Sequence, residues 1–432
     1  MKKIIFLILT TVFALTAVAQ NTLTLEQCKA LARQNNYGVR QADNNIASAE
    51  ETVKEARAAF LPTVSGSGLY YRSTDDILGA DFMGQSIRSG KDLYSIGVSA
   101  TMPIYAGGQI NNSYKLSKIG AEQSYLEKKR TLRDIDIQTE KYYWQMVGLE
   151  AKRRTLDEVD TLLAEIHYTV ANAVKNGLKT RNDLLQVELR QAEHESDRLR
   201  LDNALKVSRK LLAQHIGLND STIDICLPAY MQKGIYELPT IPVSSKKEQS
   251  QVINNMPENQ MLAKQIDADK LETKIEYGKL LPTLAVSMGY DYTHFWDETS
   301  GGAAVYATVS VPISDWLWGG TKHAVKSKQK KLDNSQLEQI NSRQMISIQL
   351  DKLWYDVEES YKNLAIAQKA IDQSEENLRL NRNAYQSGTL TMTELLNAEL
   401  LLQQARDKYT EAYSDYNSRL SEYNSLCGYH SN

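Results

Sequence analysis

The chain has 432 residues and a formal net charge of −3, too near neutral for a general nucleic-acid binder, which would usually be basic. Only eight prolines interrupt a composition rich in Ala, Leu, Gln, Glu, Lys and Asn, which favours long helices. Six scattered histidines form no H-x-x-H or H-E-x-x-H pair, and no nucleophile–base pair or phosphate loop appears, so an enzyme is the weakest reading and no metal or cofactor is expected.

The N-terminus reads as an export signal over residues 1–19. Lys2 and Lys3 open it, Ile4 to Ala17 are apolar, and Ala17-Val18-Ala19 offers small residues for cleavage. That stretch falls short of the roughly 20 residues a spanning helix needs. No later run approaches about 18 apolar residues, which excludes transmembrane helices but leaves a β-barrel open. Cys28, Cys226 and Cys427 show no disulfide framework, and their spacing does not say whether any two pair in an oxidising periplasm.

From there the chain reads helix, strand pair, very long helix, tight turn, long helix, and then repeats. A short helix is expected near Asn36–Phe60, followed by strands near 63–73 and 93–104. The first of these is glycine-rich and patterns poorly; in the second, Tyr94, Ile96, Val98, Ala100, Met102 and Ile104 alternate with Ser95, Gly97, Ser99 and Thr101. Helices are then expected at Gln109–Asn176 and Arg181–Ile216, with a linker at 219–256. The second unit repeats this with a helix at Pro257–Leu280, strands at 283–295 and 303–313, and helices at Thr321–Gln386 and Met392–Leu426; 429–432 form a tail.

The two units, 20–218 and 257–428, match in order at a spacing of about 210 to 220 residues. Phe60-Leu61-Pro62-Thr63 answers Leu280-Leu281-Pro282-Thr283, Pro103-Ile104 answers Pro312-Ile313, and Gly107-Gly108 answers Gly319-Gly320. Gly177 with Asp183-Leu184-Leu185 and Glu188 answers Gly388 with Glu394-Leu395-Leu396 and Glu399, and Gly217 answers Gly428.

Each strand is about as long as the 9 to 11 residues a tilted strand needs to cross a bilayer. Tyr105, Phe295, Trp296, Trp316 and Trp318 near the strand ends suit an interfacial belt. In the long helices a coiled-coil seam runs through Leu353, Val357, Ser360, Leu364, Ala367, Ile371 and Leu378, returning through Ala398, Leu402, Ala405, Tyr409 and Tyr416. The equivalent seam in the first unit is broken at seven-residue intervals by Arg153, Asp160 and His167, which periodicity alone leaves unexplained. The long helices would extend about 100 Å, the returning ones about 55 Å and the short ones about 35 Å, consistent with a cylinder about 100 Å long. Four strands cannot close a barrel on their own, so oligomerisation is required if they span a membrane.

The ordered, doubled set of L-P-T junctions, P-I strand ends followed by G-G, and G-x-x-x-x-x-[DE]-L-L turns resembles the TolC family of outer-membrane factors over essentially the whole mature chain. The resemblance implies a mainly α fold with a small transmembrane β part: a homotrimer with a shared twelve-stranded β-barrel in outer-membrane lipid and an α-helical barrel in the periplasm. It also implies docking with a periplasmic adaptor and an inner-membrane pump of the RND or ABC type, the duct itself being passive. Efflux of small toxic compounds is the leading reading. The exit duct of a type I protein-secretion system and a soluble periplasmic coiled-coil scaffold are the alternatives.

The turns concentrate the candidate functional residues. Gly177 and Gly388 suit left-handed helix ends, and Thr180 with Asp183 and Thr391 with Glu394 form capping boxes. The resemblance adds that such hairpins narrow the periplasmic entrance, which would place Asp183 and Glu394 at a cation-favouring aperture. Gln186 and Asn397 stand where some relatives carry a second acid, and Tyr385 would help hold a closed state. The tips, with Gly177, Leu178, Thr180, Gly388, Thr389 and Thr391, would meet the adaptor. The Leu184-Leu185 and Leu395-Leu396 pairs suit either that contact or packing between subunits. The basic run Lys322 to Lys331 reads as a solvated helix start.

Overall fold

The computed structural model describes residues 22–74, 80–82, 85–87, 92–218, 223–228, 236, 238–239, 246–295 and 298–428. The expected export signal, Trp296, the tail 429–432 and parts of the stretch 219–256 lie outside the described residues. Nine helices and eight strands follow in chain order among them: β1 Thr22–Leu23, α1 Leu25–Asn35, α2 Tyr37–Ala58, β2 Thr63–Arg72, β3 Ala80–Phe82, β4 Gln85–Ile87, β5 Asp92–Ala106, α3 Gln109–Lys175, α4 Arg181–His215, β6 Asp224–Ile225, α5 Gln249–Asn255, α6 Pro257–Gly278, β7 Thr283–Phe295, β8 Glu298–Ser310, α7 Ile313–Trp318, α8 Gly320–Gln386 and α9 Met392–Leu426. The duplication holds to the residue: α3 and α8 have 67 residues each, α4 and α9 have 35, and α2 and α6 have 22. None of the described helices is long and apolar enough to cross a membrane.

The chain divides into two compact units. The first, drawn from Met1–Gln41, Lys128–Met256 and Gln344–Asn432, has helices and the parallel strand pair β1–β6 among its described residues. Its start differs from the expected helix at Asn36. Thr24 and Gln27 form a capping box that begins α1 earlier, with Thr24 N donating to Gln27 Oε1 at 2.9 Å. Asn36 breaks the helix at ψ 135°, and its Oδ1 then accepts from Gly38 N at 2.8 Å, capping α2. Arg33 anchors α1 by a bidentate pair with Asp136 at 2.8 and 2.6 Å, while buried Lys29 pairs with Glu140. The three cysteines are free: Cys28 is buried, its thiol pushed up to about 12 by burial, Cys427 is half-buried and Cys226 exposed.

The expected coiled-coil seam is the core of this unit. Leu353, Val357, Leu364, Ala367, Ile371 and Leu378 of α8 cluster with Ala398, Leu402, Ala405, Tyr409 and Tyr416 of α9 and with Leu163, Val170 and Val187 of the other hairpin. Each large apolar side chain buried this way contributes roughly 1.5–3 kcal/mol. The polar interruptions also acquire a cause. Asp160 pairs with His194 at 3.1 Å and with Arg198, His167 faces Glu188 at 3.7 Å, and Arg153 joins Glu150, which Arg209 grips at 2.8 Å. All three are rungs tying α3, directly or through Glu150, to the returning α4.

The second unit, from Ala42–Glu127 and Pro257–Arg343, holds the sheet, in the order β2-β5-β7-β8 with every neighbouring pair antiparallel. Its helices are tied by polar contacts: Asp269 of α6 accepts from Ser335 Oγ of α8 and pairs with Lys331 at 3.0 Å, and Lys328 and Lys331 both reach Glu272. Much of the basic run is therefore neutralised inside the chain. β8 starts and ends before the expected 303–313. Pro312, lacking an N–H, cannot continue the ladder, so Ile313 opens α7, a single turn and a half that closes at left-handed Gly319. The first copy behaves differently: β5 runs through Pro103 to Ala106, accommodating the proline at a register shift between Pro103 and Tyr105. Trp316 and Trp318 accordingly stand on α7 and not at a strand end, with Trp316 Nε1 donating to Leu280 O at 2.9 Å.

The sheet is inverted relative to a soluble one. Ile96, Val98, Met288, Tyr290, Val305 and Val309 share one face and are 54–73% exposed. The opposite face carries Ser95, Gly97, Ser99, Thr101, Ser287 and Thr293, linked by cross-strand bonds such as Thr101–Ser287 at 2.9 Å and Ser95–Thr293 at 3.2 Å. On that face Ser287 is only 4% exposed. Packing on a dry soluble core would require the reverse.

Candidate functional site

The turns joining α3 to α4 and α8 to α9 are the same device built twice. Leu178 N donates to Ala173 O at 2.8 Å and Gly177 N to Val174 O at 3.0 Å, satisfying the last carbonyls of α3; Thr389 N to Ala384 O and Gly388 N to Tyr385 O do so for α8. That geometry needs a left-handed residue, and Gly177 and Gly388 supply φ of +69° and +80°. Three residues on, each returning helix starts with a reciprocal cap. Asp183 N donates to Thr180 Oγ1 at 3.3 Å while Thr180 N donates to Asp183 Oδ2 at 3.0 Å, and Thr391 and Glu394 repeat both bonds at the same lengths. The backbone and hydroxyl bonds from Thr391 hold the Glu394 carboxyl below its usual value.

The structure brings several expected site residues together. Thr393 Oγ1 donates to Gln186 Oε1 at 3.0 Å, bridging the two hairpins beside their tips. Tyr385 lies next to the first turn: Lys179 Nζ sits over its ring at 4.2 Å, and its hydroxyl is buried with no hydrogen-bond partner among the described residues. Burial, and then the charge of Asp183, push that hydroxyl's pKa up. A cavity of about 260 Å³ opens at this point, walled by Ile166, Val170 and Ala173 of α3, Arg382 and Tyr385 of α8, and Leu395 of α9. Glu394, Asn397, Leu178 and Thr391 remain on the surface of the chain. Of the leucine pairs, Leu184, Leu395 and Leu396 pack into the chain's own core, which leaves only Leu185 exposed for a partner.

Below the tips lies a cluster that sequence reading does not single out. Arg190 of α4 donates from Nε to Glu399 Oε2 at 3.2 Å and from Nη2 to Gln403 Oε1 at 2.6 Å, both on α9. Glu399 is 1% exposed; burial pushes its carboxyl pKa up while Arg190 pulls it back. His194, also 1% exposed, donates from Nε2 to Leu156 O at 2.9 Å. Glu188 and Glu399 are visible as a repeat match, but nothing in one dimension reveals that Arg190 crosses to the other hairpin.

A family model described as outer membrane efflux protein matches residues 30–218 and 249–428. No curated protein matches the chain by sequence. Among solved structures, the outer membrane protein VceC of Vibrio cholerae is similar at a TM-score of 0.76 and 14% identity, over 94% of this chain and 96% of that one. A membrane protein from Pseudomonas aeruginosa gives 0.79 and 13%, over 94% and 93%. The open state of the MtrE outer membrane channel of Neisseria gonorrhoeae gives 0.74 and 17%, over 93% and 88%. At these identities the structures speak to the fold, which they share along nearly all of the chain. The family match spans both repeats and both hairpin turns, and the chain belongs to the outer membrane efflux protein family.

Proposed function

We propose that three copies of this chain form a passive duct from the periplasm to the cell exterior, serving small toxic compounds handed over by an inner-membrane pump through a periplasmic adaptor. The observation that carries it is the inverted sheet. The four strands expose an apolar face and carry a serine- and threonine-rich one opposite it, which suits lipid outside and water inside. Four strands fall short of the usual minimum of about eight, so three copies contributing twelve provide closure. The family's description, outer membrane efflux protein, supports the efflux reading. In this reading Asp183 and Glu394 stand at the periplasmic entrance, Gln186 and Asn397 leave the next helical turn uncharged, and Tyr385 with Lys179 holds the two hairpins in the closed arrangement. The tips at Gly177, Leu178, Gly388 and Thr389 receive the adaptor.

The test is fractionation followed by conductance. A heat-sensitive trimer that leaves the outer membrane only with detergent, and forms channels in planar bilayers, is the expected result. A monomer in periplasmic fluid would return the chain to the scaffold reading. Identifying the adaptor and pump that co-purify with the trimer separates efflux from secretion.

A further inference from the structure

The polar face of the sheet carries one charge that the duct reading does not use. Asp291 lies in the middle of β7, paired across the sheet with Gly97 of β5 on one side and Gly302 of β8 on the other. Its carboxylate leans over Gly97 so closely that a Cβ on that glycine would collide with Asp291 Oδ1, while a Cβ on Gly302 would meet nothing within 4 Å. The next residue in the same cross-strand row is Ser67 of β2. Along Ser67, Gly97, Asp291 and Gly302 the carboxylate is therefore the one charged group that projects from the wall.

Among the described residues no basic side chain neutralises it. The row on one side runs Leu69, Ser95, Thr293 and Ser300, and the row on the other runs Ser65, Ser99, Gly289 and Ala304, with no basic residue in either. Arg72, the one basic Lys or Arg side chain in the four strands, sits at the end of β2 and pairs with Asp92 at 3.7 Å. Asp291 is exposed, and it has no hydrogen bond or ion pair among the described residues. A glycine on each side gives a carboxylate room and no partner, an arrangement with no benefit to the stability of the sheet.

We infer that Asp291 is the charge-selecting residue of the strand passage, favouring cations and cationic or neutral cargo over anions. The inference rests on the proposed trimeric duct, in which three copies set three unpaired carboxylates at one level of a water-filled lumen with low-dielectric walls. Such walls focus the field of fixed charges on whatever passes. This selection acts at the strand end of the duct, independently of the acids at the hairpin turns.

The experiment is the reversal potential of purified trimers in planar bilayers under a potassium chloride gradient, together with block by hexaamminecobalt(III) added from the strand side. Asp291→Asn lowers the cation-to-anion permeability ratio at least about twofold at about 0.1 M salt and weakens strand-side block, and Asp291→Lys reverses the preference. The difference fades at about 1 M salt, where the screening length is about 3 Å. Asp291→Glu retains wild-type selectivity. If Asn does not assemble, Asp291→Ser, the residue type of the flanking rows, is measured in its place. Wild-type channels whose selectivity and block are unmoved by these variants overturn the inference and leave the duct intact. A wild-type trimer that conducts nothing removes the duct itself.

Discussion

The Arg190–Glu399–Gln403 cluster lets the cohesion of the two hairpins be tested in isolation. Deleting one partner of a buried ion pair costs about 3 to 5 kcal/mol, because the other charge is left desolvated, whereas replacing both by apolar side chains is neutral or stabilising by about 1 to 4 kcal/mol. Here one oxygen of the pair, Glu399 Oε1, is already buried without a partner among the described residues, so the wild-type pair is incompletely satisfied. That places the single deletion near the lower figure and makes the apolar double replacement the more favourable outcome. Arg190→Met is expected to lower the dissociation temperature of the detergent-solubilised trimer sharply, since it strands Glu399 at 1% exposure. Glu399→Leu alone strands a guanidinium that can still reach Glu193, 3.6 Å away, and loses less. The double variant Arg190→Met/Glu399→Leu recovers to wild type or above. The assay is the temperature at which the trimer band gives way to monomer, with helicity followed by circular dichroism to exclude misfolding. A double variant no more stable than Arg190→Met would refute the reasoning, for it would show that the cost lies in packing volume and not in the unpaired charge.

Other perturbations follow from the same contacts. Burial raises the Asp407 carboxyl to about 6, so the folded chain keeps a proton that the unfolded chain releases near its ordinary value; stability therefore falls as pH rises from about 4 to about 6 and is level above. Asp407→Asn removes that slope in thermal melts taken across the interval; a slope that persists assigns it to another group. At Gly388, where nothing stands within 4 Å of a built Cβ, only backbone strain opposes a side chain. Gly388→Val should cost about 1–2 kcal/mol while Gly388→Asn costs much less, and equal trimer yields and melting temperatures for the two would count against the left-handed turn. Asp183→Ala with Glu394→Ala should raise single-channel conductance or weaken cation preference. Unchanged values would leave those acids as helix caps and nothing more.

The sequence carries the repeat, the helix lengths and the turns because each rests on local chemistry. Glycine at a left-handed position, Thr with an acid three residues on, and a seam spaced by threes and fours can all be read without knowing what lies opposite. The first helix is less legible for a related reason: Thr24 with Gln27 is a readable cap, but Asn36 ends one helix and caps the next, so its neighbourhood reads as a start. The second Pro-Ile pair departs from the first because identical dipeptides meet different surroundings, a strand absorbing Pro103 at a bulge and a strand ending before Pro312. The site is less legible still. Lys179 over Tyr385, Thr393 on Gln186 and Arg190 on Glu399 all join segments about 200 residues apart, and no periodicity links them.

The polar interruptions of the first seam show how the duplicated halves divide the work. The spacing that relates Gly177 to Gly388 also relates Arg153, Asp160 and His167 to Leu364, Ile371 and Leu378, which are 0%, 2% and 9% exposed. It relates His194 and Arg198 to Ala405 and Tyr409, again core residues. These positions are thus polar or charged in the first hairpin and apolar in the second, whereas Glu188 answers the ion-paired Glu399, and the second hairpin has charged rungs of its own in Arg406–Glu375 at 3.0 Å and Arg419–Asp356 at 3.2 Å. An apolar seam is stabilised wherever water is excluded and tolerates small sliding, whereas a charged rung holds only at the register in which its partners meet. The second hairpin therefore contributes more of the buried apolar seam, while charged rungs hold the register in both hairpins. Arg190 on Glu399, Thr393 on Gln186 and Arg406 on Glu158 all join the two hairpins, so a change at the Thr180 turn reaches the second hairpin through these polar contacts as well as through packing.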